Sequence, residues 1–565
     1  MRILKSGAFF RKSKFTSSGV IGAIVVLLAF SCTTTSLEVT EKDEAIFIKA
    51  SANADKANTG FVRIRNYMNA WLSFADPESK LVPRTLDRDT VIWNANDCAA
   101  DNFPFLVLTS YFTDQEKFEG IMREMLLNEI QLTSRVESLP DTYSFSKKGF
   151  LYNSVSMPRI VFGTTEYIKD GLLPVTEWLG ASPWSERMLT MLGDLNEHVD
   201  VAGGFGNETF GNAPDDEVNG ELLQILSRIY WFTGERKFLD WAIEIGDHFL
   251  LGDGYPLTHS DYLRLRDHGC EVVSGLCELY VTLHFANKEK NLAYREPLYK
   301  LLDYILDHGR NEDGLFYNAI NPETGEVVAP DLADTWGYTL NGYYAVYLVD
   351  SVAAYRDAVI KVFGNLHQYH NYNWENLGAD GFADAIEGGL NLYNRIPDER
   401  AARWINQEIQ VMWSMQDSSH RANAQRWKGS GIIEGWYGDG NFARTTIMHN
   451  LWKSKGTFVQ PWTPEIRLGG EMKGDSLYII LQSAAPWQGK LYFDRARHSA
   501  NLKLPIDWPR INQFPEWFTV SKEKKYRVAE VEPGTSREID GGSLMHGLSM
   551  KLEANETKRF IVAPL

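Results

Sequence analysis

The chain has 565 residues, 44% of them hydrophobic and 23% charged, with a formal net charge of −17. That length exceeds one ordinary core and calls for a large domain with a companion, and the composition excludes a disordered or fibrous chain. So acidic a protein is not built to hold nucleic acid or an anionic membrane by bulk charge, and an anionic ligand would need a local basic pocket.

The first 31 residues read as a targeting segment. Arg2, Lys5, Arg11, Lys12 and Lys14 form a basic stretch ahead of the apolar run 20–30, which is short of the ~20 residues a bilayer span takes. The run ends in Leu28-Ala29-Phe30-Ser31-Cys32, which looks like a bacterial lipobox with Cys32 as the acylated residue. A lipid-anchored place in a Gram-negative cell envelope, periplasmic or on the surface, is the expectation. Residues 32–59 read as a polar tether. Cys98, Cys270 and Cys277 show no CxxC or His/Cys metal spacing, so they read as buried thiols, and no metal or cofactor is expected.

From 60 to 460 apolar residues recur at steps of three and four, which predicts helices. The predicted helices are 62–74, 99–112, 115–131, 158–169, 185–198, 217–232, 237–249, 271–285, 292–308, 335–349, 351–364, 382–394, 399–415 and 439–452. Alternate helices are strongly apolar and open on acids: Asp97 and Asp101, Asp216 and Glu217, Asp334, Asp380 and Asp384, Asp439. The helix at 271–285 opens on Arg264, Arg266, Asp267 and His268, where the free N–H groups and the helix dipole favour anions. Any one of these acids also serves as an N-cap. After 462 the pattern shortens to β-rich runs at 476–481, 489–494, 518–520 and 560–562, which predicts a small antiparallel domain over 461–565.

This succession predicts a mainly α protein, an (α/α) toroid of helical hairpins followed by a small C-terminal antiparallel β domain. It resembles the six-hairpin glycosidase-like toroids, a group that includes unsaturated uronyl hydrolases, related glucuronidases and several polysaccharide lyases. The segment Glu434-Gly435-Trp436-Tyr437-Gly438-Asp439-Gly440-Asn441-Phe442-Ala443-Arg444, with Trp508-Pro509-Arg510-Ile511-Asn512 and Phe514-Pro515-Glu516-Trp517-Phe518, resembles lipoproteins of polysaccharide-degrading bacteria. The resemblance is architectural and carries no residue-by-residue match to the family's catalytic motifs. It implies an envelope enzyme acting on uronic-acid-containing oligosaccharides.

Cleaving a glycosidic bond takes two carboxyl groups, one to protonate the leaving oxygen and one as base or nucleophile. Asp267, Asp216 and Asp334 are the first candidates, with His268 oriented by Asp267. Arg264 and Arg266 have the fork that binds a uronate carboxylate. A second basic patch, His420, Arg421, Arg426 and Trp427, leads to Trp436 and Tyr437; its arginines suit a carboxylate and its indoles a sugar face. Trp336 and Tyr338 stand at a helix start as further cleft candidates. Elimination on a uronate, with an arginine neutralising the carboxylate and Tyr437 or His268 moving the proton, is the alternative. A glycan-binding lipoprotein without catalysis is a third reading.

Overall fold

The structure, a computed structural model, describes residues 40–86, 91–198, 214–417 and 426–565. Cys32, His420 and Arg421 lie outside the described residues. The helices close into a ring of two layers. The inner layer begins with the π-helical Ala95–Asn102 continued by Phe103–Thr113, and then Met157–Glu166, which passes through the π-helical Tyr167–Leu172 into Leu173–Leu179. Pro214–Thr233, Cys270–Ala286, Trp336–Asp350, Ala379–Arg395 and Asp439–Ser454 complete it, each packed on the next and the last on the first. Among the described residues the inner wall therefore has seven segments, where the resemblance implies six hairpins.

Composition separates the two layers. Every residue from Asp439 to Ser454 is buried, so that inner helix has no solvent face. The outer helix Arg236–Leu251 instead buries one face, Phe238, Leu239, Trp241, Ala242, Ile245, Gly246, Phe249 and Leu250, and leaves the other half-buried or exposed. Small residues let inner helices touch by their backbones. A Cβ on Gly337 would stand 2.4 Å from Gly388 Cα, and one on Gly440 would stand 1.8 Å from the Asp101 carbonyl oxygen. Both distances are inside any real contact, so only glycine fits there.

The chain enters this ring earlier than the tether reading over 32–59 allows. Helix Glu41–Leu72 starts at a capping box between Thr40 and Asp43. Its buried residues Phe47, Ala50 and Ala54 are mostly alanine, too weakly apolar to announce a helical face in sequence. They pack on strand Ile466–Lys473, where a Cβ on Gly469 would lie 2.1 Å from the Ala50 oxygen.

The C-terminal region forms a five-stranded antiparallel sheet in the order Ile466–Lys473, Ser476–Ser483, Glu556–Pro564, Lys525–Glu530, Thr535–Asp540. A second sheet joins Leu548–Leu552, Trp487–Tyr492 and Phe458–Gln460. The strand expected at 518–520 is reduced to a single bridge between Thr519 and Asp494. What separates the strands matters more for the site: a segment holding Trp508, Arg510, Ile511 and Asn512, all buried, runs from the sheets to the axis of the ring. No helix among the described residues is long and apolar enough to cross a membrane. Cys98, Cys270 and Cys277 are buried and unpaired.

Candidate active site

The ring encloses a funnel. An outer cleft of about 1080 Å³ is bounded by Arg84, Arg159, Arg264, Asp216, Glu217 and His259, and it leads to an inner pit of about 330 Å³. Asn96, Asp97, Phe162 and His268 border both spaces.

Each inner segment brings two residues four apart to the funnel, some within the helix and some, like Asp267, Asp334 and Tyr437, from the turn just before it. The pairs are Asp97 and Asp101, Glu166 and Asp170, Glu217 and Glu221, Asp267 and Glu271, Asp334 and Tyr338, Asp380 and Asp384, Tyr437 and Asn441. The two π-helical stretches lie against each other and carry Asp97, Asp101, Lys169 and Asp170. Such π-turns are favoured at functional sites because they re-aim side chains that a regular helix would turn away. Ile511 and Asn512 form the floor.

At the floor Arg444 is held on all sides. Its guanidinium meets Asp384 at 2.5 Å and Glu387 at 2.8 Å, and it donates to the Asn441 and Asn512 side-chain oxygens at 3.0 and 2.9 Å. The Tyr338 hydroxyl lies 2.9 Å from both Asp384 and Glu387. Asn512, with φ 61°, donates its backbone N–H to Glu387 at 2.6 Å and its amide to Asp170. Higher up, Asn441 donates to Asp380 at 2.7 Å. Lys169 bridges Asp170 at 3.0 Å and Glu271 at 3.3 Å.

At the mouth His268, in a left-handed conformation at φ 65°, sets its ring between two carboxylates. Nε2 lies 3.0 Å from Asp267, and Nδ1 contacts Glu217. Burial opposes charging this ring, but Asp267 and Glu217 overcome it and its pKa is pushed up to about 10. His268 is thus an imidazolium at neutral pH, a fixed charge rather than a base. Against the desolvation of the pit, the charges of His268, Lys169, Arg264 and Arg266 hold Asp267 below the ordinary carboxylate range. Asp334, at the start of the neighbouring helix, moves the other way. Burial, reinforced by the charges of Asp384, Asp267 and Asp380, holds it well above that range. Among the described residues it accepts one hydrogen bond, from the Thr335 N–H at 2.9 Å. Burial and neighbouring acids raise Asp101 and Asp380 as well.

The sequence candidates distribute unevenly. Asp267, His268, Asp334, Trp436 and Tyr437 border the pit, and Asp216 and Arg264 border the outer cleft. Trp436 donates its indole N–H to Glu434 at 2.7 Å, and Tyr437 lies under the Arg84 guanidinium, 5.2 Å from its carbon. Arg266 is exposed and borders neither space. Arg426 donates to the Leu86 carbonyl and covers Trp427, which packs edge-on to Phe74, so this pair belongs to the surface near the ring's first helix. Trp336 is 0% exposed and packs edge-on to Trp404 in the core, because the first turn of its helix points the indole between the layers rather than down the axis. Sequence reasoning did not place Glu166, Lys169, Asp170, Glu221 and Glu271 at the site. Their signal was an acid recurring four residues apart inside an otherwise apolar helix.

No family model matches the sequence, and no curated protein does. Among solved structures, a family 76 glycoside hydrolase from a bovine Bacteroides thetaiotaomicron strain aligns with a TM-score of 0.38 and 12% identity over 57% of this chain and 76% of that one. A family 76 mannosidase from Bacteroides thetaiotaomicron VPI-5482 aligns with a TM-score of 0.37 and 12% identity over 70% and 99%. The unsaturated glucuronyl hydrolase from Bacillus sp. GL1 aligns with a TM-score of 0.34 and 11% identity over 53% and 87%.

Proposed function

We propose that this chain is a glycoside hydrolase in which Asp334 is the general acid and Asp267 the base or nucleophile. The observation that carries this reading is the opposed surroundings of two carboxyl groups at the starts of adjacent inner helices. Asp334 is buried among acids and keeps its proton, whereas Asp267 faces His268 and keeps its charge. A pair driven apart in this way divides the labour that glycosidic cleavage requires. Asp334 gives its proton to the leaving oxygen. Asp267 then either takes a proton from the attacking water or attacks the anomeric carbon itself, and His268 steadies its charge.

The substrate we infer is an oligosaccharide containing a uronic acid. The pit is an unfavourable place for a sugar carboxylate, since its own carboxylates outnumber its cations. The outer cleft is more hospitable. Arg264 borders it, and its buried Nε meets no hydrogen-bond partner among the described residues. In this reading the uronate rests on Arg264 and the neighbouring sugar enters the pit. Elimination has less support, because a free base is needed and both ring nitrogens of His268 are committed to carboxylates. A binding role alone leaves the opposed pair without a use. An envelope location with a lipid on Cys32 belongs to the same proposal; Cys32→Ala is expected to release the protein from membranes.

The test is product analysis by mass spectrometry after incubation with uronic-acid oligosaccharides in ¹⁸O water. Gain of one labelled water per cleaved bond is expected. Cleavage without water, leaving an unsaturated sugar, would overturn hydrolysis. Equal turnover of neutral oligosaccharides, unchanged by Arg264→Gln, would overturn the uronate alone.

A further inference from the structure

Glu166 and Glu221 present an unresolved charge problem next to the candidate catalytic pair. They stand on adjacent inner segments, 7% and 1% exposed. Among the described residues no amine, guanidinium, amide or hydroxyl donates to either carboxyl group; the two lie within hydrogen-bond reach of one another, and Glu221 Oε2 is sealed from solvent without a hydrogen-bond partner. A buried carboxylate without a donor is costly, and native proteins satisfy such groups with a proton, a water or an ion. Asp170 completes a triangle: one oxygen from each of Glu166, Asp170 and Glu221 lies within 4.8 Å of the others. Two oxygens across a calcium ion at 2.3–2.6 Å stand about 5 Å apart, and two at adjacent positions somewhat over 3 Å, so this spacing suits that ion.

We propose that Glu166, Asp170 and Glu221 form a binding site for a calcium-sized divalent cation in the wall of the pit. The donor set is all carboxylate oxygen, which selects a hard cation over zinc or copper. The pit supplies space for the waters that complete the coordination shell. The resident cations do not replace the ion. Lys169 is engaged with Asp170 and Glu271, and His268 with Glu217 and Asp267. Glu166, Asp170, Glu217, Glu221, Asp267 and Glu271 thus share two positive charges, and a divalent ion would halve the excess. Asp170 takes part through the face not used by Lys169 and the Asn512 amide. The inference does not depend on the roles given to Asp267 and Asp334, and its test needs no substrate.

The purified full chain is stripped with EDTA and titrated with CaCl₂ by isothermal calorimetry, with thermal melts run in parallel. One saturable site is expected at a Kd below about 1 mM, the weak end of extracellular calcium sites, together with a rise in Tm and weaker binding of MgCl₂. Glu221→Gln is expected to weaken binding at least about tenfold, the effect of losing one charged ligand, and Asp170→Asn provides a second variant if the first does not fold. Wild-type protein with no saturable heat and no rise in Tm up to about 5 mM CaCl₂ would overturn the site in favour of a proton shared by the two glutamates. Undiminished binding in both variants would equally overturn it, since the ion would then sit elsewhere.

Discussion

Buried charges occur in two settings in this protein, and they obey different rules. Away from the pit many are met by an opposite charge at close range. Arg228 meets Glu278, Arg510 meets Glu177 and Arg187 meets Glu129, each at 2.6 Å and each pair nearly free of solvent. Arg228 and Arg510 also hold the segment that makes the floor: Arg228 donates to the Ile511 carbonyl, and the Trp508 indole donates to Glu278. In the pit the acids outnumber Arg444, Lys169 and His268, so several carboxyl groups, Asp334 and Glu221 among them, have no cation against them. A matched buried pair fixes geometry, because losing either partner strands the other. An unmatched carboxylate is strained in isolation and is left available for a proton, an ion or a substrate hydroxyl. The contrast separates side chains that hold the ring together from side chains that work inside it.

The largest expected effect falls in the pit. Asp334→Asn and Asp267→Asn should each lower kcat by about 10²–10⁴-fold, the usual contribution of a positioned acid or base. Asp334→Asn should not lower Tm, since it removes a carboxyl from a crowd of like charges, whereas Asp267→Asn should lower it modestly by taking a partner from the His268 imidazolium. Oligosaccharide turnover and a thermal melt on the same preparation check both halves, and full activity in either variant would break the division of roles.

The matched side predicts the reverse. Arg228→Met should cost about 3–5 kcal/mol of stability by stranding Glu278, while the folded fraction keeps its kcat. Arg228→Met with Glu278→Leu should recover most of that loss, because the burden is the uncompensated charge. Denaturant midpoints measure both, and a double variant as unstable as the single one would show that the pair does more than balance charge.

Asn512 stands where the two settings meet. Asn512→Asp would keep an oxygen for Arg444 but would turn a second carboxylate oxygen toward Asp170 in place of the amide donated there. A stability loss of about 1–3 kcal/mol is expected, the cost of leaving a buried polar group without its donor. A melt unchanged by the substitution would mean that Arg444 alone sets the floor.

The ring was legible in sequence because fourteen apolar repeats announce fourteen helices, and acids before alternate helices mark one mouth. The site was legible only at its first tier. Asp267, Asp334 and Asp380 precede their helices or open them, so the eye takes them as starts. Glu166, Glu221 and Glu271 sit one turn further in, where an acid in an apolar run is read as an interruption. Trp336 shows the opposite failure: proximity to a helix start says nothing about which way the first turn faces. Asn512 was beyond reach, since its contact with Asp170 joins residues 342 apart in the chain, and no local pattern encodes such a meeting.

The smallest effect comes from pH, and its sign distinguishes the two settings. Burial, with Asp384 acting beside it, raises Glu387 to about 7 against the pull of Arg444, from an ordinary 4.5. Burial raises Asp439 to about 7 from 3.8. Between pH ~4 and ~7 the folded chain therefore keeps protons that the unfolded chain has already lost, so stability falls as pH rises through that window and levels off above it. Asp334 and Asp380, raised by burial and by their acidic neighbours, act in the same direction. Acids with lowered pKa act oppositely and only at lower pH. Arginine charges hold Asp507 at about 2 against its burial, and the stability it contributes is lost as pH drops below its ordinary value of 3.8. Tm measured in EDTA, so that no cation competes for the protons, should be a few degrees higher at pH 5 than at pH 7.5. Asp334→Asn should flatten part of that rise, and Tm falling from pH 7.5 to pH 5 would mean that the pit carboxyls are ionised and matched after all.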